Sequence, residues 1–208
     1  MLVPKSTSVP LFPVFVRQGR SWRLYKVGYI NANGAVVVRP EFDGGMPFAE
    51  GLAAVAVSGK WGFIDVFGSV VIGPSFESGG YFSQGRAAVS LGRRGYIDRT
   101  GRMVVEPRFG TAGAFSEGMA WVESQGRHGY IDLDGREAIP PIFEGAREFS
   151  EGLAAVKKGG RWGYINQTGA FAIPVQFDGL VAGRFTDGLA SPSFYFFCRP
   201  FPTCLIAG

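Results

Sequence analysis

The chain has 208 residues, 46% apolar and 18% charged, with 32 glycines and 13 prolines; it is too hydrophobic to be disordered and too interrupted by Gly and Pro for a helical bundle. No run of about 18 apolar residues occurs, so the sequence predicts no membrane-spanning helix. The formal charge of +4 is uneven: residues 1–27 hold five basic residues and no acid, and the remainder is nearly neutral, which argues against a nucleic-acid groove along the body.

Residues 1–21 form a basic N-terminal segment. Its apolar stretch, "MLVPKSTSVPLFPVFV", is broken by prolines, unlike the uninterrupted h-region of a signal peptide, so a cytoplasmic location is expected. Within it, "PVFVRQ" reads as a strand.

Residues 22–190 are an array. Gly, an aromatic, Ile and Asp or Asn recur from Gly28, Gly62, Gly95, Gly129 and Gly163, at spacings of 33 or 34. A second glycine follows in phase at Gly34, Gly68, Gly101, Gly135 and Gly169, and a phenylalanine at Phe42, Phe76, Phe109, Phe143 and Phe177. In the second copy, "KWGFID" alternates as a strand does. Asp65, three residues before Gly68, suits an Asx-turn in which the glycine takes positive φ. "SVVIG" is then the returning strand, expected to stop at Pro74 because proline cannot donate to a ladder. A link containing "YFSQG" follows as an irregular segment, and "RAAVSL" is a third strand whose alanines leave room for a neighbouring aromatic.

The unit is therefore a three-stranded antiparallel meander of about 34 residues, with "PVFVRQ" as the third-strand equivalent of the first copy and "GLASPSFYFF" as a sixth third strand without a partner after it. Residues 191–208 form a divergent tail or cap. Cys198 and Cys204 both lie there, are expected to be reduced thiols with a terminal disulfide as the alternative, and match no common zinc spacing.

The stretches "KWGFIDVFGSVVIGPSFE", "RWGYINQTGAFAIPVQFD", "FAEGLAAV" and "FSEGLAAV" resemble the WG-repeat family, also called KWG repeats, of mostly bacterial proteins. The resemblance covers roughly residues 22–190. It implies an all-β repeat module of variable copy number with no shared catalytic residues. The chain departs from the pattern at the name-giving Trp, where the slot reads Val27, Trp61, Arg94, His128 and Trp162. The expected fold is all-β: five tandem three-stranded units stacked as an open curved array, with a small closed five-bladed propeller-like ring as the alternative.

The chemistry reads as sparse. His128 is the one histidine, and in a Trp slot it is expected to pack rather than catalyse. Glu50, Glu117 and Glu151, with Gln84 and Asp187 in the equivalent places, precede a repeated glycine, which suits turn duty better than glycosidase chemistry. "DLDG" at 132–135 lacks the further ligands of a calcium loop. No enzyme activity, cofactor or metal is expected. Function is sought instead where the copies differ. Trp121 stands where siblings have Ala54, Ala88 and Ala155, either filling space left by the missing Trp at 128 or serving as an exposed anchor. Arg93, Arg94, Arg99 and Arg102 cluster in sequence around one turn and, with stacking, near Arg127. With Trp121 and His128 they form the candidate interaction surface. The expected function is protein–protein interaction by a non-enzymatic repeat module, with carbohydrate or cell-envelope binding through exposed aromatics as the alternative and self-association through the unpaired last strand as a further possibility.

Overall fold

The computed structural model describes residues 10–17 and 25–178, together with the backbone of 185–186 and 189–190. Among the described residues the fold is all-β, and the strands form five antiparallel sheets of three or four strands plus a two-stranded pair, none closed into a barrel. No helix among the described residues is long and apolar enough to cross a membrane.

Sheet one contains β1 (Phe12–Arg17), β2 (Tyr25–Ile30) and β3 (Val36–Phe42). "PVFVRQ" does supply its third-strand equivalent, pairing with β2 from Phe12↔Ile30 to Arg17↔Tyr25. Sheet two is β4 (Gly44–Gly45), β5 (Leu52–Val57), β6 (Lys60–Asp65) and β7 (Val70–Phe76). Sheet three is β8 (Ser78–Ser83), β9 (Arg86–Leu91), β10 (Arg93–Asp98) and β11 (Met103–Phe109). Sheet four is β12 (Met119–Ser124), β13 (Arg127–Asp132) and β14 (Glu137–Phe143). Sheet five is β15 (Gly145–Ala146), β16 (Leu153–Lys158), β17 (Arg161–Asn166) and β18 (Phe171–Phe177). A final pair, β19 (Phe185–Thr186) and β20 (Leu189–Ala190), follows. Most of "GLASPSFYFF", Asp187, Cys198, Cys204 and the tail lie outside the described residues.

Two local expectations are corrected. The link is not wholly irregular: β4, β8 and β15 pair with the third strand as a fourth, and in sheet four the single bridge Ala112↔Val122 stands in the same place. The link is rich in glycine and small residues and lacks strand alternation, so its pairing leaves no pattern in the sequence. Nor does Pro74 end the returning strand, which runs through it to Phe76. The β6–β7 register shifts between Trp61↔Phe76 and Phe63↔Ile72, and β7 is an edge strand, so the missing N–H leaves no ladder position empty. At this bulge the strands approach closely. A Cβ on Gly62 would stand 2.5 Å from the Ile72 carbonyl oxygen, which is why the glycine of the WG pair survives in copies that lose the Trp.

The core lies between sheets. On the first strands of sheets one to four the aromatic faces the next sheet, and on those of sheets two to five the isoleucine faces the previous one. Val27, Tyr29 and Val38 of sheet one thus pack with Ala53, Val55 and Ile64 of sheet two, and Ala54, Phe63 and Ile72 with Ala87, Val89 and Ile97 of sheet three. The same arrangement joins sheets three to four and four to five. The alternating face that a lone meander would expose is buried only because another unit follows. At the start of the array Phe12, paired with Ile30 on the face turned away from sheet two, is 49% exposed. The described sheets therefore form an open array.

Hydroxyls also tie successive units. Tyr29, Tyr96 and Tyr130 donate to the carbonyls of Met46, Gly113 and Arg147 at 2.8, 2.7 and 2.8 Å. Burial pushes the Tyr29 hydroxyl up to about 12 and those of Tyr96 and Tyr130 further still.

Candidate interaction surface

Each unit presents two ends. The turn end carries the Asx-turn between first and second strands and the Glu-Gly or Gln-Gly turn before the third. The hairpin end carries the tight turn between third and first strands.

At the turn end, Asp65 Oδ1 accepts from the N–H groups of Phe67 and Ser69, both at 2.9 Å, while Gly68 sits at φ 84°. Asn31, Asp98, Asp132 and Asn166 do the same in their copies. The residue before the turn glycine reaches across units. Glu50 accepts from Gly85 N–H at 3.0 Å, Gln84 from Gly118 N–H at 2.9 Å, and Glu117 from Gly152 N–H at 2.9 Å. At the hairpin end, Asp43, Glu77 and Glu144 accept from Ser58, Gly92 and Gly159. The third acid of that series is replaced by Gly110, and Glu123 on β12 takes over by accepting from Gly126 N–H at 2.6 Å. A Cβ on Gly110 would collide with the Glu123 carboxylate, so the two departures form one change. Among the described residues no group of three or more His, Cys, Asp or Glu is placed to hold a metal ion.

The structure divides the residues singled out from the sequence. Arg93 and Arg94 begin β10, whereas Arg99 and Arg102 lie in the turn beyond its far end, so the four do not surround one turn. Six residues of strand span roughly 17–20 Å. Arg93 donates to the Arg108 carbonyl at 2.9 Å, and Arg94 is half-buried between Ser90 and Phe109. Arg127 shares their end and stands 3.9 Å from Glu144.

His128 is half-buried, opposite Glu123. Its ring centroid is 5.7 Å from that of Trp121, and its Nδ1 is buried without a hydrogen-bond partner among the described residues. Burial lowers its pKa, against the opposing pull of Glu123. Trp121 is half-buried and packs with Tyr130, Phe149 and Ala154 in the core between sheets four and five. Its indole covers Gly113 so closely that a Cβ there would collide with it.

At the turn end Arg102 pairs with Asp98 at 3.3 Å. The Thr100 hydroxyl, then the Thr100 and Arg102 N–H groups and the Arg102 side chain, hold the Asp98 carboxyl down at about 2 against its partial burial. Sequence reading missed Arg86 and Arg136, which join Arg102 around an open cavity of about 390 Å³ between sheets three and four. Each lies in a different strand or turn, so no spacing signals the grouping. Arg136 is paired with Asp134 and Asp132. Arg99 instead reaches back over the Glu50–Gly51 turn of sheet two, its terminal nitrogen 3.8 Å from where a Gly51 Cβ would stand.

The family model for the WG containing repeat matches residues 28–61, 61–93, 95–127, 129–162 and 162–191. The chain belongs to the WG-repeat family. No curated protein matches it in sequence. Among solved structures, a eukaryotic initiation factor is similar over 81% of this chain and 53% of its own, with a TM-score of 0.52 at 13% identity. KlHsv2 with loop 6CD replaced by a Gly-Ser linker is similar over 77% of this chain and 64% of its own, with a TM-score of 0.51 at 10% identity. The chain thus spans between half and two thirds of these two structures, and at such identity the likeness is one of fold. In WG-repeat terms, the recurrent polar residues above belong to the frame, and the surface that varies is carried by Phe67, Arg99, Arg86, Arg102 and Arg136 at the turn end and by Arg93, Arg94 and Arg127 at the hairpin end.

Proposed function

We propose that this WG-repeat array is a non-enzymatic module that binds a protein partner through the unrepeated side chains at the ends of its sheets. The observation that supports this reading is the commitment of the recurrent acids and amides to backbone N–H groups within and between units. Groups held that way are the frame's own hydrogen-bond partners and recur from copy to copy, so discrimination between partners falls to residues that differ between copies. The body's near-neutral charge fits a protein better than nucleic acid, and the reading includes a cytoplasmic location and no cofactor.

Carbohydrate binding through the tryptophans has less support. Trp162 is 8% exposed and Trp61 half-buried, both with their rings over backbone glycine. The test is affinity capture with the full chain as bait, beside one variant carrying Arg93→Glu, Arg94→Glu and Arg127→Glu and another carrying Arg99→Glu and Arg102→Glu. A partner enriched by the native chain and lost from one variant is expected. No enriched protein with the native bait would count against the reading.

A further inference from the structure

The Asx-turns are alike in backbone and differ at their two central positions. The first reads Ala32, Val66, Arg99, Leu133 and Gln167 through the five copies, and the second Asn33, Phe67, Thr100, Asp134 and Thr168. One cationic residue occurs in the first series and one aromatic in the second. They come from adjacent units, and the fold brings their turns to the same place.

Val66 and Arg99 line one cavity of about 600 Å³ at the turn end of the first three sheets, together with Pro10, Leu11, Phe48 and Glu50. That volume is in the range of sites for small ligands and peptide side chains. Phe67, next in the chain to Val66 but outside the lining of this cavity, is 81% exposed.

The polar groups of the groove are of two kinds. Arg99 has no ion-pair partner among the described residues. Its counterpart two copies later, Gln167, takes the same path back to the preceding unit and donates to Glu117 at 3.4 Å, so the position faces the turn before it by construction. Glu50 uses Oε2 on Gly85 N–H; a carboxylate has lone pairs for further donors. One wall therefore offers a guanidinium, another a carboxylate acceptor, and the floor is aliphatic and aromatic.

We propose that this groove captures the C-terminal residue of a partner protein, with its carboxylate on Arg99, its backbone N–H toward Glu50 and an apolar side chain against Leu11, Phe48 and Val66. Charge complementarity selects the occupant. A guanidinium pairs with a carboxylate in bidentate geometry, and capture of a chain terminus is an established mode of peptide recognition. A C-terminal apolar residue carries all three features on one Cα, whereas an internal acidic residue needs a second residue to supply the apolar group. The inference rests on the protein-binding reading and specifies one of its contacts.

The experiment is a titration of the isotopically labelled full chain, followed by amide shifts, with N-acetyl-leucine as the probe. Saturable shifts at Phe48, Val66 and Arg99 are expected, with affinity at least about tenfold weaker for N-acetyl-leucinamide and for Arg99→Gln, since each removes one partner of the charge-assisted pair. Equal binding of the amide would mean a purely apolar occupant, and tighter binding of N-acetyl-leucyl-aspartic acid α-amide, whose β-carboxyl is free, an internal acidic one; either overturns the proposal. So do shifts elsewhere, or none. Val66→Ser, in the lining, serves as a second variant and weakens the probe without altering the rest of the spectrum. If affinity capture retrieves a partner equally with native chain and Arg99→Gln, the groove fails while the broader reading stands; if nothing is captured, the broader reading fails.

Discussion

The indole of Trp61 lies over Gly44: a Cβ built on that glycine would stand 3.4 Å from Trp61 Cη2. Trp162 repeats the relationship over Gly145, at 3.2 Å. Gly44 pairs with Ala56 and Ala56 with Trp61, so the ring crosses one strand to reach the next. Where the slot has lost its Trp, the residue two strands away is no longer glycine: Ser78 stands across from Arg94, and Thr111 from His128. Retention of Trp and retention of glycine go together in sheets two to five.

Gly44→Thr places a branched side chain under the Trp61 ring and should cost about 1–3 kcal/mol, the usual range for overpacking. Urea unfolding followed by tryptophan fluorescence measures it. Gly73→Ala is the control, because a Cβ there meets nothing within 4 Å; equal losses from the two would contradict the account.

In sheet four the slot is occupied differently, with Trp121 over Gly113 and against His128. His128→Trp alone should therefore destabilise, since the new ring meets both Trp121 and Thr111. Adding Trp121→Ala and Thr111→Gly restores the arrangement of sheets two and five and should recover most of the loss. Non-additivity across that set, read from denaturation midpoints, is the expected signature of one shared site.

Tyr96 donates to the Gly113 carbonyl at 2.7 Å in a buried setting. Tyr96→Phe should cost about 1–2 kcal/mol, because the carbonyl is left without that partner. The second copy carries Phe63 in the tyrosine position, and Phe63→Tyr should gain up to about 1 kcal/mol by reaching the equivalent Gly80 carbonyl. Thermal unfolding of the two variants should move in opposite directions.

Two groups give stability a pH dependence of known sign. Burial lowers the His128 pKa from its ordinary 6.5, so the unfolded chain takes up that proton more readily. Stability is unaffected by this group above that value and falls as pH drops below it; His128→Gln should flatten that part of the profile. Asp98, held at about 2 against an ordinary 3.8, contributes stability that is present above 3.8 and lost as pH falls toward 2. Asp98→Asn should remove this second window while keeping the turn, since Asn31 and Asn166 already fill that role.

The frame was legible in the residues alone because its determinants are local. A glycine at positive φ, an Asp or Asn bonding the N–H two residues on, and an alternating strand each act within a few residues, and their recurrence marked the unit and its length. What only the tertiary structure decided depends on which faces meet. The fourth strand follows from pairing of a link whose own sequence carries no alternation. Glu50, Gln84 and Glu117 looked like turn residues, yet their partners stand 34 or 35 residues away, at a distance no local pattern encodes. The arginines adjacent in sequence were parted by the length of β10, while Arg99 was carried to Phe48 and Val66 of the preceding unit. A repeating backbone sets a fixed separation between equivalent atoms, and neighbours across that gap are chosen by sheet packing.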